Sequence, residues 1–200
     1  MTDINIVEGQ TLSLDDVEPD HHYVKCHFTV SNAPIRLMDA SFDHCTFDQT
    51  NFDNGDFSRV TWTHSQFLNA TWRETSWFDC NLKSLQLAGS DFSESVMKNT
   101  TFDACKLTYA NFSEMRVENS KFLNCDLLES AFQAIRAKKT IKFDGSRLTG
   151  ADFVETRLKG FDWHEAEFDT LSMSANLASG LVVSQYQAAQ LIGMFGIEVK

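Results

Sequence analysis

The sequence is poor in the residues that usually make turns, since its 200 positions include only two prolines and nine glycines. An all-β domain normally marks its turns with these residues, so a regular pattern of another kind must replace them. Long apolar runs are also missing, and the first residues lack the cationic start and apolar block of a secretory signal. We therefore expect a cytoplasmic protein that does not cross a membrane.

Basic residues are scarce as well. The chain has 17 lysines and arginines against 28 aspartates and glutamates, and the resulting formal net charge of −11 is concentrated in residues 1–60. A surface of this sign repels phosphate backbones and favours basic partners. We expect no direct binding to nucleic acid.

Recognisable catalytic motifs are absent from the sequence. It contains no nucleophile elbow, no glycine-rich phosphate loop and no CxxC pair, so we predict a protein that is not an enzyme and needs no cofactor. Five cysteines, an odd number in a chain without a secretory signal, indicate reduced thiols. His44 and His64 predict a short ladder on one outer edge, but Cys45 beside them is expected to point inward. The two histidines then lack further ligands, and we predict no metal site.

A period of five dominates the remaining sequence. From Phe42 to Phe132 every fifth residue is large and apolar, and after a slip of one residue the period resumes at Phe143. Between Phe42 and Phe132 these apolar residues, which we call centres, are Phe47, Phe52, Phe57, Trp62, Phe67, Trp72, Trp77, Leu82, Leu87, Phe92, Met97, Phe102, Leu107, Phe112, Val117, Phe122 and Leu127. Residues two positions before the centres are mostly small. They include the cysteines, which are Cys26, Cys45, Cys80, Cys105 and Cys125.

This period fits neither the alternation of an ordinary strand nor the 3.6-residue repeat of a helix. It predicts a coil in which each five-residue unit forms one side of a square, so that four units complete a turn of about twenty residues. The large centres and the small residues both point inward, and equivalent positions of successive turns stack at about 4.8 Å. Ladders such as Phe92, Phe112 and Phe132 form the expected core, and about seven turns give a rod of about 35 Å.

Three segments carry a resemblance to a known family. Residues 80–82 (CNL), 110–112 (ANF) and 151–153 (ADF) are similar to the Ala/Cys/Ser-Asp/Asn-Leu/Phe unit of pentapeptide-repeat proteins, and the pattern covers residues 22–183. The resemblance implies an all-β fold, a right-handed quadrilateral β-helix. We expect an acidic leader over residues 1–21, the solenoid over residues 22–183, and a short C-terminal α-helix and tail over residues 184–200.

The five-residue register is interrupted at residues 133–142 (QAIRAKKTIK), which carry no acidic residue. We predict a bulge or a projecting loop there. The segment is either a basic contact loop on an otherwise acidic rod or a solvated insertion. Its cationic residues are Arg136, Lys138, Lys139 and Lys142.

The period ends at Ser184, where Ser184 and Gln187 predict a capping box and the start of a helix. An open β-helix end exposes backbone groups and core rings, and it must be covered. The helix either caps that end or exchanges with a second copy to make a two-fold homodimer. The predicted dimerisation residues are Tyr186, Leu191, Ile192 and Phe195.

The C-terminal region resembles one branch of the family. Residues 161–163 (FDW), 166–168 (AEF), 186–188 (YQA) and 196–199 (GIEV) are similar to the tail of the Qnr proteins, which are related to MfpA. That resemblance implies a DNA-mimicking homodimer that binds DNA gyrase or topoisomerase IV and protects it from a poison. Many Qnr proteins carry two projecting loops where this chain runs unbroken, so a quinolone, albicidin and microcin B17 all stay open as the poison. The alternative function is a scaffolding rod without a topoisomerase role.

Acidic residues on the outer surface are the expected contacts with the partner. Asp43, Asp48 and Asp53 each follow a centre directly, so they occupy equivalent outer places on three successive sides. A rod with regular negative charge presents to a basic groove much of what a DNA duplex presents.

Overall fold

The structure, a computed structural model, describes residues 5–198. Residues 1–4 of the predicted leader and residues 199–200 of the predicted tail lie outside this range. The described chain forms twenty short strands, two one-turn 3₁₀ helices at Leu14–Asp16 and Ala175–Leu177, and one α-helix, α1, at Gln185–Met194. The strands are β1 (Asn5–Glu8), β2 (Thr11–Ser13), β3 (His21–Val24), β4 (His27–Thr29), β5 (Arg36–Met38), β6 (Ala40–Asp43), β7 (Thr46–Phe47), β8 (Asp56–Ser58), β9 (Thr61–Thr63), β10 (Ser76–Phe78), β11 (Asn81–Lys83), β12 (Val96–Lys98), β13 (Thr101–Asp103), β14 (Arg116–Glu118), β15 (Lys121–Leu123), β16 (Arg136–Lys138), β17 (Ile141–Lys142), β18 (Ala151–Phe153), β19 (Phe161–Asp162) and β20 (Leu171–Met173).

All strand pairings among these residues are parallel, which confirms the predicted four-sided β-helix. One side is a nine-stranded sheet in the order β1-β3-β6-β9-β11-β13-β15-β17-β19, so the rod has eight turns rather than the predicted seven. Another side is the six-stranded sheet β16-β14-β12-β10-β8-β5, and shorter sheets and isolated bridges complete the other two. No helix within the described residues has the length and apolar character needed to cross a membrane.

We number the sides by their buried centres. Side 1 is the nine-stranded sheet and includes Phe42 and Phe102, side 2 includes Leu87 and Leu107, side 3 includes Phe92 and Phe112, and side 4 is the six-stranded sheet and includes Phe57 and Trp77.

The corners between sides explain how the chain turns with so little glycine and proline. In most repeats the second residue after the centre has a positive φ, as at His44 (53°), Arg59 (53°) and Glu94 (59°). This left-handed conformation costs an L-residue about 1–2 kcal/mol. Each of these corner N–H groups donates to a carbonyl of the next turn, at 3.1, 2.8 and 3.0 Å respectively. These ladder hydrogen bonds offset the cost at the three corners.

Stacked rings fill the interior as the period predicts. Phe92 and Phe112 stack with ring centroids 5.1 Å apart and planes 5° apart, and Phe112 stacks on Phe132 at 5.0 Å. All three rings are buried. Burial of one such side chain stabilises the fold by about 1.5–3 kcal/mol.

Two repeats on side 4 show opposite sizes at the centre and at the inward residue two positions earlier. Where the centre is the large Phe57, the residue two positions earlier is Gly55, and where the centre is the small Ala137, that residue is the buried Ile135. In these two repeats a large side chain at one position goes with a small one at the other, and both arrangements fill the interior.

The predicted boundary at residue 22 is wrong, because the solenoid already includes the segment predicted as a leader. Asn5 pairs with His21, and Thr11 pairs with His27, both in parallel ladders. Leu14 is buried, and the neighbouring Val7, Leu12 and Val17 pack against the same core. This first turn is shorter than the others and lacks their five-residue period, so the apolar residues that seal the N-terminal end gave no repeat signal.

The predicted projecting loop at residues 133–142 is wrong, whereas the predicted bulge is present. Strand β16 keeps the ordinary spacing, with Ala137 opposite Val117. On the following side Lys142 pairs with Lys121, which is one residue more than in the regular turns. The extra residue is therefore absorbed at the corner around Lys139, and the backbone stays in the ladder.

Helix α1 begins as predicted and covers the C-terminal end of its own chain. The Ser184 hydroxyl accepts a hydrogen bond from the Gln187 N–H at 3.2 Å, and the Gln187 side chain accepts one from the Ser184 N–H at 2.8 Å. The buried Gln187 amide also donates to the carbonyls of Trp163 and Ala166, both at 2.7 Å. One glutamine thus satisfies backbone acceptors that an open end leaves exposed.

Candidate functional site

The thiols of this protein are enclosed by its core. All five cysteines are free and buried. Burial raises the pKa of Cys45 to about 11, and a thiol must ionise to act as a nucleophile. The charged side chains that could contact a partner lie on the outer faces.

The three aspartates predicted to form an acidic face lie on three different sides, and each is engaged by a neighbouring cation or histidine. Asp48 on side 2 accepts from His27 Nε2 at 3.2 Å. Asp53 on side 3 accepts from Arg73 Nη2 at 2.8 Å, and its side chain is only 15% exposed. Since the fold does not bring the three carboxylates together, they do not form a common contact surface.

Among the described aspartates that form an ion pair with an arginine, Asp53 has the least exposed side chain. Partial burial acts to raise its pKa, but the hydrogen bonds from the Arg73 side chain and backbone outweigh burial and lower the pKa below its ordinary value. The pair joins two successive turns of side 3. The pair links these two turns through charge-assisted hydrogen bonds.

A different set of acids forms a continuous column. Glu74, Glu94 and Glu114 are each the second residue after a side 3 centre, and all three are exposed at the corner between sides 3 and 4. They lie one turn apart, or about 4.8 Å. Within residues 5–198 none of the three has an ion-pair partner. We call this set the glutamate column; reading the sequence at intervals of twenty instead of five reveals it.

The predicted basic residues do not act as one loop. Lys138 and Lys139 both form ion pairs with Glu118, at 3.5 and 2.8 Å. Lys142 lies on side 1, where it pairs with Asp144 at 3.7 Å. Of these four residues, only Arg136 has no ion pair within the described part of the chain, and its side chain is exposed.

Arg136 instead belongs to a column of arginines on side 4. It pairs in register with Arg116 one turn earlier, and Arg157 holds the corresponding place on the next turn. A shallow groove at the corner between sides 3 and 4 is lined by Glu74, Glu94, Glu114, Arg116 and Arg136. The arginine column thus adjoins the glutamate column, with positive charge toward the C-terminal half of the rod.

The residues predicted for dimerisation separate into two groups. Leu191 is buried against its own solenoid, so it belongs to the intramolecular cap and is not available to a second chain. Tyr186, Ile192 and Phe195 are exposed, with Tyr186 at 75%. These three side chains give the C-terminal end an apolar surface in the single chain.

The predicted histidine ladder forms on side 1, and the carboxylate of Asp43 joins it. The His44 and His64 rings stack with centroids 4.5 Å apart. Their Nδ1 atoms lie 3.0 and 2.8 Å from the two oxygens of Asp43, and Thr63 donates to the same carboxylate at 2.6 Å. Partial burial acts to raise the pKa of Asp43, but the hydrogen bonds from Thr63 and the histidines outweigh it and lower the pKa far below its ordinary value.

Taken together, these features define a β-solenoid whose interior is filled and whose outer columns carry its distinctive charges. Two overlapping stretches, residues 55–132 and 75–153, match the family model described as "Pentapeptide repeat region". The chain is a pentapeptide-repeat protein and belongs to that family. No curated protein matches it by sequence.

Solved structures share the fold. Two trypsin-treated variants of QnrB1, a plasmid-mediated fluoroquinolone resistance protein, superpose with TM-scores of 0.53 and 0.52 at 18% identity, and the match covers 98% of both chains in each case. HetL, a pentapeptide repeat protein involved in heterocyst differentiation regulation from the cyanobacterium Nostoc, matches with a TM-score of 0.44 at 13% identity, over 90% of this chain and 86% of its own.

Proposed function

We propose that the protein is a DNA-mimicking homodimer that binds a type II topoisomerase, DNA gyrase or topoisomerase IV, and protects it from a poison such as a quinolone, albicidin or microcin B17. The observation that carries the proposal is the glutamate column of Glu74, Glu94 and Glu114. It is a straight row of exposed carboxylates on a rod with a net charge of −11.

The carboxylates of the glutamate column are spaced in a way that suits a groove that binds DNA. Each DNA strand carries one phosphate per about 3.4 Å, and the column carries one carboxylate per about 4.8 Å. Grooves that bind DNA are lined by lysine and arginine directed at phosphates. A rigid row of carboxylates can meet such a groove with complementary charge, which steers association and fixes the orientation of the partners.

The homodimer part of the proposal rests on the apolar end formed by Tyr186, Ile192 and Phe195. Exposed apolar patches on soluble proteins commonly mark interaction surfaces. Pairing of two such ends about a two-fold axis covers both patches and closes the assembly. The product is a longer rod with the glutamate column repeated on each half. The QnrB1 structures support the proposal, because QnrB1 shares the fold and is a fluoroquinolone resistance protein.

A gyrase supercoiling and cleavage assay tests the proposal with each poison in turn. We expect the wild-type protein to inhibit supercoiling or to reduce drug-stabilised cleavage. The variant Glu74→Gln/Glu94→Gln/Glu114→Gln should lose this effect, because three carboxylates of one column become neutral without a change in shape. No effect of the wild-type protein in large excess over gyrase or topoisomerase IV would overturn the proposal.

A matched control separates the column from net charge. Glu129→Gln/Glu167→Gln/Asp169→Asn removes three exposed carboxylates from side 2, which have no ion pairs among the described residues. This variant should act like the wild type. Equal loss in both triple variants would show that only overall charge matters.

The arginine column favours a second candidate function, a scaffolding rod that recruits an acidic protein without a topoisomerase role. Arg116, Arg136 and Arg157 are exposed and in line. A pull-down from bacterial lysate distinguishes the two functions. The first function is supported if the wild type captures topoisomerase subunits and the glutamate-column variant does not. The second is supported if the wild type captures an acidic protein and the variant Arg116→Gln/Arg136→Gln does not.

A further inference from the structure

We infer that Asp43, His44 and His64 form a binding site for a divalent transition metal ion of the zinc type, which links two successive turns on side 1. Two imidazoles and one carboxylate converge there from adjacent turns. This inference is independent of the proposed topoisomerase partner.

The positions of the donor atoms support the site. One ligand atom from each of the three residues lies within 4.8 Å of the others. Zinc binds histidine nitrogen at about 2.0–2.1 Å and carboxylate oxygen at about 2.0–2.2 Å, which places neighbouring ligand atoms of a tetrahedral site roughly 3.3 Å apart. The existing contacts of 3.0 and 2.8 Å between the Nδ1 atoms and Asp43 are close to that separation. A metal ion takes the place of the protons that these contacts now share.

Both rings must turn before they can bind one ion. They stack with planes 22° apart, whereas a metal ion prefers to lie in the plane of each imidazole, so both rings must rotate about χ2. The side chains of His44 and His64 are 55% and 47% exposed, which leaves room for that rotation. The fourth coordination position then faces solvent.

The backbone and the carboxylate are already held in place. His44 and His64 occupy the same corner position of successive turns, and the His44 N–H donates to the Thr63 carbonyl at 3.1 Å. The Thr63 hydroxyl donates to Asp43 Oδ1 at 2.6 Å and orients the carboxylate. Hydrogen bonds of this kind fix metal ligands and contribute to affinity.

The donor set selects the class of ion. Calcium and magnesium prefer oxygen ligands, whereas imidazole suits zinc, copper and nickel. The nearest lysines are already engaged by acids. Lys25 on the preceding turn pairs with Glu8 at 3.5 Å, and Lys83 on the following turn pairs with Asp103 at 3.6 Å. The carboxylate of Asp43 is therefore left to the histidines and the metal ion.

Calorimetric titration of the chelator-treated full chain with zinc chloride tests the site, and the absorption of bound cobalt reports its coordination. We expect one saturable equivalent with a Kd in the micromolar range. His64→Asn and Asp43→Asn should each weaken binding by at least about tenfold. His164→Asn is the control, because His164 contacts Asp162 and Glu165 on a distant turn and lies outside the cluster.

Thermal unfolding provides a second measurement. Zinc should raise the Tm of the wild type and of His164→Asn, because an ion that binds only the folded state stabilises it. It should leave the Tm of His64→Asn unchanged, while all three proteins unfold at similar temperatures in the presence of chelator. No saturable binding, or binding that persists in both His64→Asn and Asp43→Asn, would overturn the inference.

Discussion

The ring of Phe57 lies so close to Gly55 that a β-carbon at residue 55 would stand 2.8 Å from ring atom Cζ. The same β-carbon would meet the Phe52 carbonyl at 2.9 Å. The Phe57 ring therefore occupies the space that a side chain at residue 55 would need. In this repeat the centre and the residue two positions earlier share one volume.

The contact between Gly55 and Phe57 predicts how a methyl group added at residue 55 changes stability. Gly55→Ala should lower the free energy of unfolding by about 1–3 kcal/mol, because overpacking forces ring and backbone apart. Phe57→Leu in the same chain should recover part of the loss, and urea unfolding of the two single variants and the double variant measures the coupling. Gly193→Ala is the control, since nothing lies within 4 Å of that position in α1. Equal effects of Gly55→Ala with and without Phe57→Leu would contradict the shared-volume explanation.

The cap formed by Gln187 can be tested separately. Gln187→Ala removes the donors to the Trp163 and Ala166 carbonyls. The Trp163 carbonyl keeps its hydrogen bond from the Ala166 N–H at 2.7 Å, so we expect a loss of about 1–3 kcal/mol from the Ala166 carbonyl, which is left without a protein donor. Gln185→Ala, at an exposed position of the same helix, should change little. Urea unfolding compares the two variants, and hydrogen exchange should locate the loss in the last turns of the rod. A stable Gln187→Ala protein with unchanged protection would show that water replaces the glutamine.

The C-terminal end gives a prediction about assembly. Ile192→Glu/Phe195→Glu should produce monomers in analytical ultracentrifugation with little change in Tm, because both side chains are exposed in the single chain. Leu191→Glu should instead lower the Tm, since it places a charge against the core. If Ile192→Glu/Phe195→Glu remains dimeric, the interface lies elsewhere on the rod.

Asp53 predicts a pH dependence of stability. Its pKa is lowered in the folded protein, so it contributes stability above its unfolded pKa of about 3.9 and loses that contribution as the pH falls through the folded pKa. Asp53→Asn should thus be less stable than the wild type at neutral pH, and the difference should shrink under more acidic conditions. Urea midpoints at neutral pH and at about pH 3, below that unfolded pKa, measure this. A difference that stays constant with pH would show that the Arg73 contact adds nothing electrostatic.

The sequence by itself predicted much of the fold because the rule for burial is local. A large apolar residue at every fifth position, as at Phe92, Phe112 and Phe132, can be buried only if each unit makes one side of a square. The helix start at Ser184 was equally accessible, since a capping box involves residues three positions apart. The leader was missed because Leu14 and its neighbours seal an end and do not repeat.

The outer surface was harder to predict, since its contacts join residues one turn apart. Asp43 appeared to be a free acid next to Asp48 and Asp53, but stacking of the turns surrounds it with Thr63 and His64. The glutamate column likewise becomes visible only when positions twenty residues apart are aligned, and the slip near Lys139 shifts that alignment further along the chain.

The sequence alone therefore determined the core, the direction of each side chain in the regular repeats and the presence of the C-terminal helix, because these follow from spacing along the chain. Only the tertiary structure decided which charges neutralise one another, that Leu191 faces its own solenoid, and that Asp43 meets two histidines. The physical reason is the register between turns. The slip near Lys139 leaves the buried period intact but increases the separation of surface partners from twenty to twenty-one residues.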